Sequence, residues 1–385
     1  MKRLVLCFDG TWNRLDARQP TNVEITAESV LDTSSGGITQ IVYYDDGVGT
    51  NGADGLTGGL FGAGLLRNIS DAYRFLILNY VAGDQIFIFG FSRGAFTARS
   101  LVGLLSTCGL IAHHHAGRLD EAIAYYRRRD GSETFAEEMR RFRADASPHL
   151  CISEAEIAWR AKHSAEAGGP AAWHKLEVAY LGVWDTVGAL GIPEYIALSH
   201  MLNRSLQFHD VSLSSLANSA RHAVAIDERN RDFTPTLWDN LFELNRRRGA
   251  DPAAEDAPYQ QVWFPGVHGA VGGGGERRGL ANIALDWVWD GARRAGLEFD
   301  TTAGSPGAEL KKDHRDALVS STSAGLVRFV LDSLPEDDRK PGPVALHEVS
   351  ASARQRWKED PSNLPEARLY RPPTLSRVAD LLDAT

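Results

Sequence analysis

The stretch GDQIFIFGFSRGAFT at residues 83–97 constrains the chain more than any other. A run of β-branched and aromatic residues, Ile86 to Phe91, suits a strand buried on both faces, because such side chains fill a pleated surface. The run halts at Ser92, which has Gly90 and Gly94 on either side. In a G-x-S-x-G pattern the small outer residues let the backbone turn sharply from strand to helix and hold the serine hydroxyl at the sheet edge. The pattern alone is weak, since with 37 glycines in 385 residues roughly one such chain in four would carry it by chance. Its surroundings decide.

Those surroundings alternate. Leu4 to Phe8, Gln40 to Tyr44, Gln85 to Phe89, Glu177 to Trp184, His222 to Ile226 and Gln260 to Phe264 read as strands. Between them, Gly64 to Val81 carries an apolar stripe at helical spacing, and Ala95 to Leu110 is the helix whose positive end lies beneath Ser92. Strands alternating with helices predict an α/β fold in one domain over residues 1–385, with a mostly parallel, doubly covered sheet. Charged amphipathic helices over 116–175 read as an insertion between the serine helix and the next strand. It is either a cap over the serine edge or a solvated helical pair. Residues 245–258 and 301–345 read as surface loops, with one helix near Ser323 to Leu334.

Composition narrows the function. A hydrophobic content of 43% and a net charge of −9 supply a core but no long-range attraction to nucleic acid or an anionic membrane. Three scattered cysteines, Cys7, Cys108 and Cys151, form neither a disulfide framework nor a metal knot and fit a reducing cytoplasm. The first nine residues are too short in apolar content for a signal peptide, and the best apolar stretch, Ala95 to Ala112, is broken by Arg99. The expectation is a cytoplasmic protein with no transmembrane segment, exported, if at all, by a leaderless route.

A neutral serine needs a histidine to take its proton and an acid to orient that histidine. The chain supplies them in the order Ser, Asp, His, at the ends of strands, where ligands bind in open parallel sheets. His268, in WFPGVHGAVGGGG, is the candidate base, with His200, His209 and His222 as rivals. His113 to His115 lack companion carboxylates at metal spacing, and the chemistry calls for no metal or cofactor. Asp185, in GVWDTVG, and Asp227, in AIDERNRDF, compete for the acid, and position does not separate them. The candidate oxyanion donors are the N–H of Arg93 and that of Gly10 or Thr11, on a loop that Asp9 would brace. GVGTNG at 47–52 matches a dinucleotide fingerprint, but the continuing glycine-rich run offers no helix directly after it, so a loop flanking the pocket is the better reading. Leu56, Leu60 and Phe61 on it are candidate contacts to an acyl chain.

Seven blocks in order, CFDGTWN, YYDDGVGT, GFSRGAFTARSLVGLL, GVWDTVGALG, AIDERNRDFTPTLW, VWFPGVHGAVGGG and YRPPTL, resemble the catalytic domain of the type VI secretion phospholipase effectors of the first lipase-effector family. The likeness runs from about residue 2 to 375. It implies an α/β-hydrolase fold and an A-type phospholipase acting on membrane phospholipid through Ser92, His268 and, by the family's WDT block, Asp185 rather than Asp227. It also implies a secretion apparatus or an immunity protein as a partner. Gly269 and Ala270 stand where the family carries Ser-Asp before Val-Gly-Gly, so any support that aspartate gives the loop or an ion is missing. The alternatives are an esterase or thioesterase with a soluble substrate, and a degenerate hydrolase acting as an interaction module.

Overall fold

The computed structural model describes residues 1–10, 19–47, 58–163, 173–188, 212–308, 310–319 and 337–385. Six strands form one parallel sheet: β1 (Arg3–Phe8), β2 (Gln40–Asp45), β3 (Gln85–Phe91), β6 (Val178–Trp184), β7 (Ala220–Ala225) and β8 (Tyr259–Phe264), in the order β2-β1-β3-β6-β7-β8. All six strands predicted from the sequence are present, within two residues at each end. The chain runs outward from β1 to β2 and then returns to place β3 on the other side of β1. The order therefore reverses between β1 and β3, and at such a switch point a crevice opens at the strands' carboxyl ends.

The period of two along each strand sorts the core into two layers. Leu4, Leu6 and Phe8 of β1, with Ile86 and Ile88 of β3, face the helices α2 (Gly58–Asn79) and α3 (Arg93–Cys108). The intervening Val5, Cys7, Phe87 and Phe89 pack on the opposite side against α1 (Asn22–Ser29) and α9 (Gly279–Arg294). Fully burying each such side chain contributes roughly 1.5–3 kcal/mol, which is why β1 and β3 read as unbroken apolar runs. α3 is buried on nearly all sides, its polar Thr97, Arg99 and Ser100 included. α2 begins at Gly58, earlier than the Gly64 read from the apolar stripe, because its first turn is glycine-rich and carries no periodic signal.

The insertion contains α4 (Leu119–Arg128), α5 (Glu133–Ala146), α6 (Glu154–His163) and two short strands, β4 (Leu150–Cys151) and β5 (His174–Lys175). Its described helices are anchored at the far end of α3. Cys108 Sγ donates to Ala122 O at 3.3 Å, Arg143 Nη1 donates to Thr107 O at 2.6 Å, and Ala112 N donates to Ala146 O at 2.8 Å. These anchors lie about 20 Å along α3 from Ser92. The cap reading is corrected accordingly: the apolar stripe Phe135, Met139 and Phe142 joins the main core at that end, so these helices widen the domain beside the sheet. Glu156 bridges the buried Arg143 (3.0 Å) and Arg160 (2.9 Å) and ties α5 to α6.

The helix α7 (Leu241–Arg247) precedes β8, after which come α8 (His268–Gly272) and α9, and the final stretch folds back through α10 (Ala351–Lys358) to build a third apolar cluster on Val224, Ile226 and Trp263. The segment 301–345, read as surface loop, is not all surface, since Arg339 within it is 5% exposed. The helix expected near Ser323 to Leu334 lies outside the described residues.

Candidate active site

Ser92 follows β3 directly, with φ 59° and ψ −123°, and α3 starts at the next residue. A serine with positive φ is strained, a cost of roughly 1–3 kcal/mol that the surroundings must hold in place. Here the two glycines of the motif do so. A Cβ on Gly90 would lie 2.6 Å from Gly94 O, and one on Gly94 would lie 2.2 Å from Phe8 O. Strand, helix and the end of β1 thus meet without side chains between them, and Ser92 N donates to Trp184 O of β6 at 3.0 Å.

His268 opens α8 after the last strand, and its Nε2 lies 2.8 Å from Ser92 Oγ. Its Nδ1 lies 2.6 Å from Oδ2 of Asp185, the residue directly after β6. Asp185 also has positive φ, at 39°. Among the described residues only three non-glycine positions do, and two of them are Ser92 and Asp185. The imidazole lies between two rings, Phe91 with centroids 4.6 Å apart and Phe233 at 4.6 Å and nearly parallel. Gly272 is the counterpart of that packing, because a Cβ there would lie 1.9 Å from the Phe91 ring. The His268 N–H is held by Glu228 Oε2 at 3.1 Å.

Asp185 is wholly buried and accepts a hydrogen bond from Ala225 N at 2.9 Å. Arg339 reaches both of its oxygens, with Nη2 to Oδ2 at 2.8 Å and Nη1 to Oδ1. Burial alone would push this carboxyl up. The charge on Arg339 and the hydrogen bonds from His268 and Arg339 overcome that and hold it well below the usual carboxylate range.

The family model described as "T6SS, Phospholipase effector Tle1-like, catalytic domain" matches residues 2–291. The chain belongs to this family. Over 247 residues it is 26% identical to "Uncharacterized protein YEL023C" of Saccharomyces cerevisiae, covering 60% of this chain and 32% of that protein, so the chain spans about a third of that relative's length. Among solved structures it is similar to an uncharacterized protein from Pseudomonas aeruginosa, with a TM-score of 0.41 and 18% identity over 82% of this chain and 49% of that one. It is also similar to a Tle1 effector bound to the VgrG spike of the type 6 secretion system, with a TM-score of 0.35 and 17% identity over 71% of this chain and 51% of that one.

The remaining sequence candidates of this Tle1-like domain are distributed as follows. Asp227, the alternative acid, does not meet the imidazole: its Oδ2 accepts from Gly266 N at 2.7 Å and from Tyr370 Oη at 2.8 Å, beneath the loop that carries His268. Burial raises it to about 6, even against the lowering effect of those two bonds. His222 is buried within β7; its Nε2 accepts from Thr186 N at 3.1 Å, and burial lowers it to about 3. His200 and His209 lie outside the described residues, and His113 to His115 form an exposed turn. Among the described residues no group of three His, Cys, Asp or Glu is placed to hold a metal ion.

Arg93 occupies the first position of α3, where helix geometry directs N–H groups out of the helix. Burial lowers its guanidinium to about 10, which leaves it charged at neutral pH. The Gly10 N–H donates to Asp9 Oδ1 at 2.6 Å, so as an oxyanion donor it would first have to break that bond. Asp9 Oδ2 accepts from Thr21 Oγ1 and Tyr44 Oη, each at 2.7 Å, and the rest of the loop it was expected to brace lies outside the described residues. Thr11 and Leu56 lie outside the described residues, as do the side chains of Leu60 and Phe61 on α2. No single helix among the described residues is long and apolar enough to cross a membrane.

Sequence reasoning missed Phe233, Glu228 and Arg339. The first two sit in the AIDERNRDF block, which was weighed only for Asp227 as a candidate acid. Arg339, in PEDDRKPGP beyond the region matched by the family model, gives no local signal.

Proposed function

We infer that this chain is a serine-dependent carboxylic ester hydrolase, an A-type phospholipase acting on membrane phospholipid. The observation that carries this reading is the unbroken line of hydrogen bonds from Ser92 Oγ through His268 to Asp185, 2.8 and 2.6 Å long, at a strained strand-to-helix turn. Membership of a phospholipase effector family supports the lipid substrate.

In this mechanism His268 Nε2 takes the Ser92 hydroxyl proton as Oγ bonds to the acyl carbon, and the carbonyl electron pair moves onto oxygen. The oxyanion is received by the N–H of Arg93 and by a second donor from the loop after β1, Thr11 or a released Gly10. The imidazolium, held at Nδ1 by Asp185, returns the proton to the departing lysophospholipid alcohol. Water then repeats the sequence on the acyl-enzyme and releases a fatty acid. Delivery by a secretion apparatus, with an immunity protein in the producing cell, belongs to the same reading.

Incubation with phosphatidylethanolamine and phosphatidylglycerol vesicles, beside a short-chain soluble ester, tests it. Release of free fatty acid and lysophospholipid by the wild type but not by Ser92→Ala is expected. Cleavage of the short ester alone would replace the lipase by a soluble-substrate esterase.

A further inference from the structure

We propose that Arg339 is a positioning residue for the Ser92–His268–Asp185 site, gripping both oxygens of Asp185 so that the carboxylate is fixed in place and its charge is shared between a permanent cation and the imidazole. The proposal rests on reading that site as a hydrolase triad.

The geometry is specific. The guanidinium fork meets the carboxylate with one nitrogen on each oxygen, and the same two nitrogens donate onward to Ala225 O at 2.9 Å and Phe233 O at 2.7 Å. The arginine side chain is 3% exposed and the aspartate 0%. Oδ2 is the shared atom, taking Nη2 of Arg339 at 2.8 Å on one side and Nδ1 of His268 at 2.6 Å on the other.

The segment is also tied to the ring that covers the imidazole. Asp337 N donates to Arg229 O at 2.8 Å, Arg229 Nε meets Asp338 Oδ1 at 3.1 Å, and Phe233, four residues further along that turn, stacks on His268. The side chain thus arrives from beyond residue 291, where the match to the family's catalytic-domain model ends.

A strut needs no charge. Backbone N–H groups orient a buried carboxylate adequately, and a buried ion pair is weak evidence of stability because desolvating both partners offsets their attraction. A cation on the acid does something a neutral donor does not: it weakens the field that would otherwise hold a proton on the imidazole. The pair is thereby kept able to accept the serine proton at lower pH. Among the described residues, the other titratable or charged groups around it are His222 on β7, Arg99 on α3 near His222, and Glu228 at the His268 amide. Among the described residues, the side chains donating to the Asp185 carboxylate are those of Arg339 and His268.

The test compares wild type, Arg339→Met, Arg339→Lys, Asp185→Asn and the double variant Asp185→Asn/Arg339→Met, which removes both charges and so avoids stranding one. Two readouts are taken: the pH at which the His268–Asp185 pair takes up a proton, from imidazole nitrogen shifts, and the pH profile of kcat/KM on a short soluble ester. In Arg339→Met the protonation midpoint and the acidic limb both move up, by roughly one to three pH units. The kcat falls about tenfold to a hundredfold, the rate equivalent of one charged hydrogen bond. Arg339→Lys restores most of the midpoint but less of the rate, because a point charge lacks the fork. In the Asp185→Asn background the Met substitution costs nothing further. An unmoved midpoint, or a loss that adds fully to that of Asp185→Asn, would overturn the proposal. The midpoint is read without substrate, so it decides the clamp even where no ester is turned over, and the Ser92→Ala control decides the hydrolase reading separately.

Discussion

β6 and β7 lie side by side, and each leads into an aspartate, Asp185 from one and Asp227 from the other. Both carboxylates are held within the protein, yet they behave oppositely: one is pinned as an anion and the other is raised to about 6. Burial pushes both upward, so desolvation is not what separates them. The difference lies in the partners. Asp185 meets a guanidinium and an imidazole, which favour its charge. Asp227 meets an amide and a phenol, which hydrogen-bond to it without supplying a full charge. Two equivalent strand ends are thus turned into a charged site and a brace for the loop above it.

The comparison breaks most sharply on activity. Asp185→Asn should lower kcat/KM about ten-thousandfold, by allowing the wrong tautomer of His268, while Asp227→Asn should lower it less than about threefold because its partners are neutral. Steady-state rates on a soluble ester check this, and the opposite ranking would transfer the acid to Asp227.

Next comes stability. Removing Arg339 leaves the Asp185 charge buried and unpaired, so Arg339→Ala should cost about 3–5 kcal/mol in urea unfolding, whereas Asp185→Asn/Arg339→Met should regain much of it. The sign with pH follows from the depressed carboxyl. The stabilisation from Asp185 is complete above the unfolded value of about 4 and is lost as pH falls below it toward the folded value. If Arg339→Ala unfolds at the wild-type urea concentration, the ion pair does not separate the two strand ends.

His222, on β7 and bonded to the residue after Asp185, titrates the connection. Its folded value of about 3 lies below the unfolded value, so its stabilisation is present above pH 6.5 and is lost as pH falls. Wild type should therefore lose about 2 kcal/mol between pH 7 and pH 5 from this residue alone. His222→Gln, which can still accept the Thr186 N–H bond, should lack that loss. A parallel decline in both proteins would remove His222 from the account.

The last effect has the reverse sign. Asp227 is raised, so its stabilisation is full below about pH 4 and is lost as pH rises through about 6. Asp227→Asn should erase that decline, which amounts to about 2 kcal/mol between pH 4 and pH 7. Urea titrations across pH 4–7 measure it.

How far the sequence could be read follows from the same two strands. The serine turn is local chemistry, a strand halted by glycines, so Ser92 and its helix were legible, and so was a histidine following the last strand. The sheet was legible because its central strands β1, β3 and β6 are apolar on both faces. The choice of acid was not, because both strands deliver an aspartate and only the third dimension brings one of them to the imidazole. The family's WDT block pointed to Asp185 by resemblance, without a physical reason. Arg339 was beyond reach, since it joins Asp185 across 154 residues from a segment whose charge and prolines look like exposed loop. The amphipathic insertion advertised its apolar stripe but not which end of α3 that stripe would cover.

The most direct test is covalent labelling of the folded protein with a fluorophosphonate probe, followed by peptide mapping. The site described here should yield a single adduct on Ser92, abolished in Ser92→Ala and sharply slowed in His268→Ala. A folded wild type that takes no label, or takes it on another residue, would contradict the assignment.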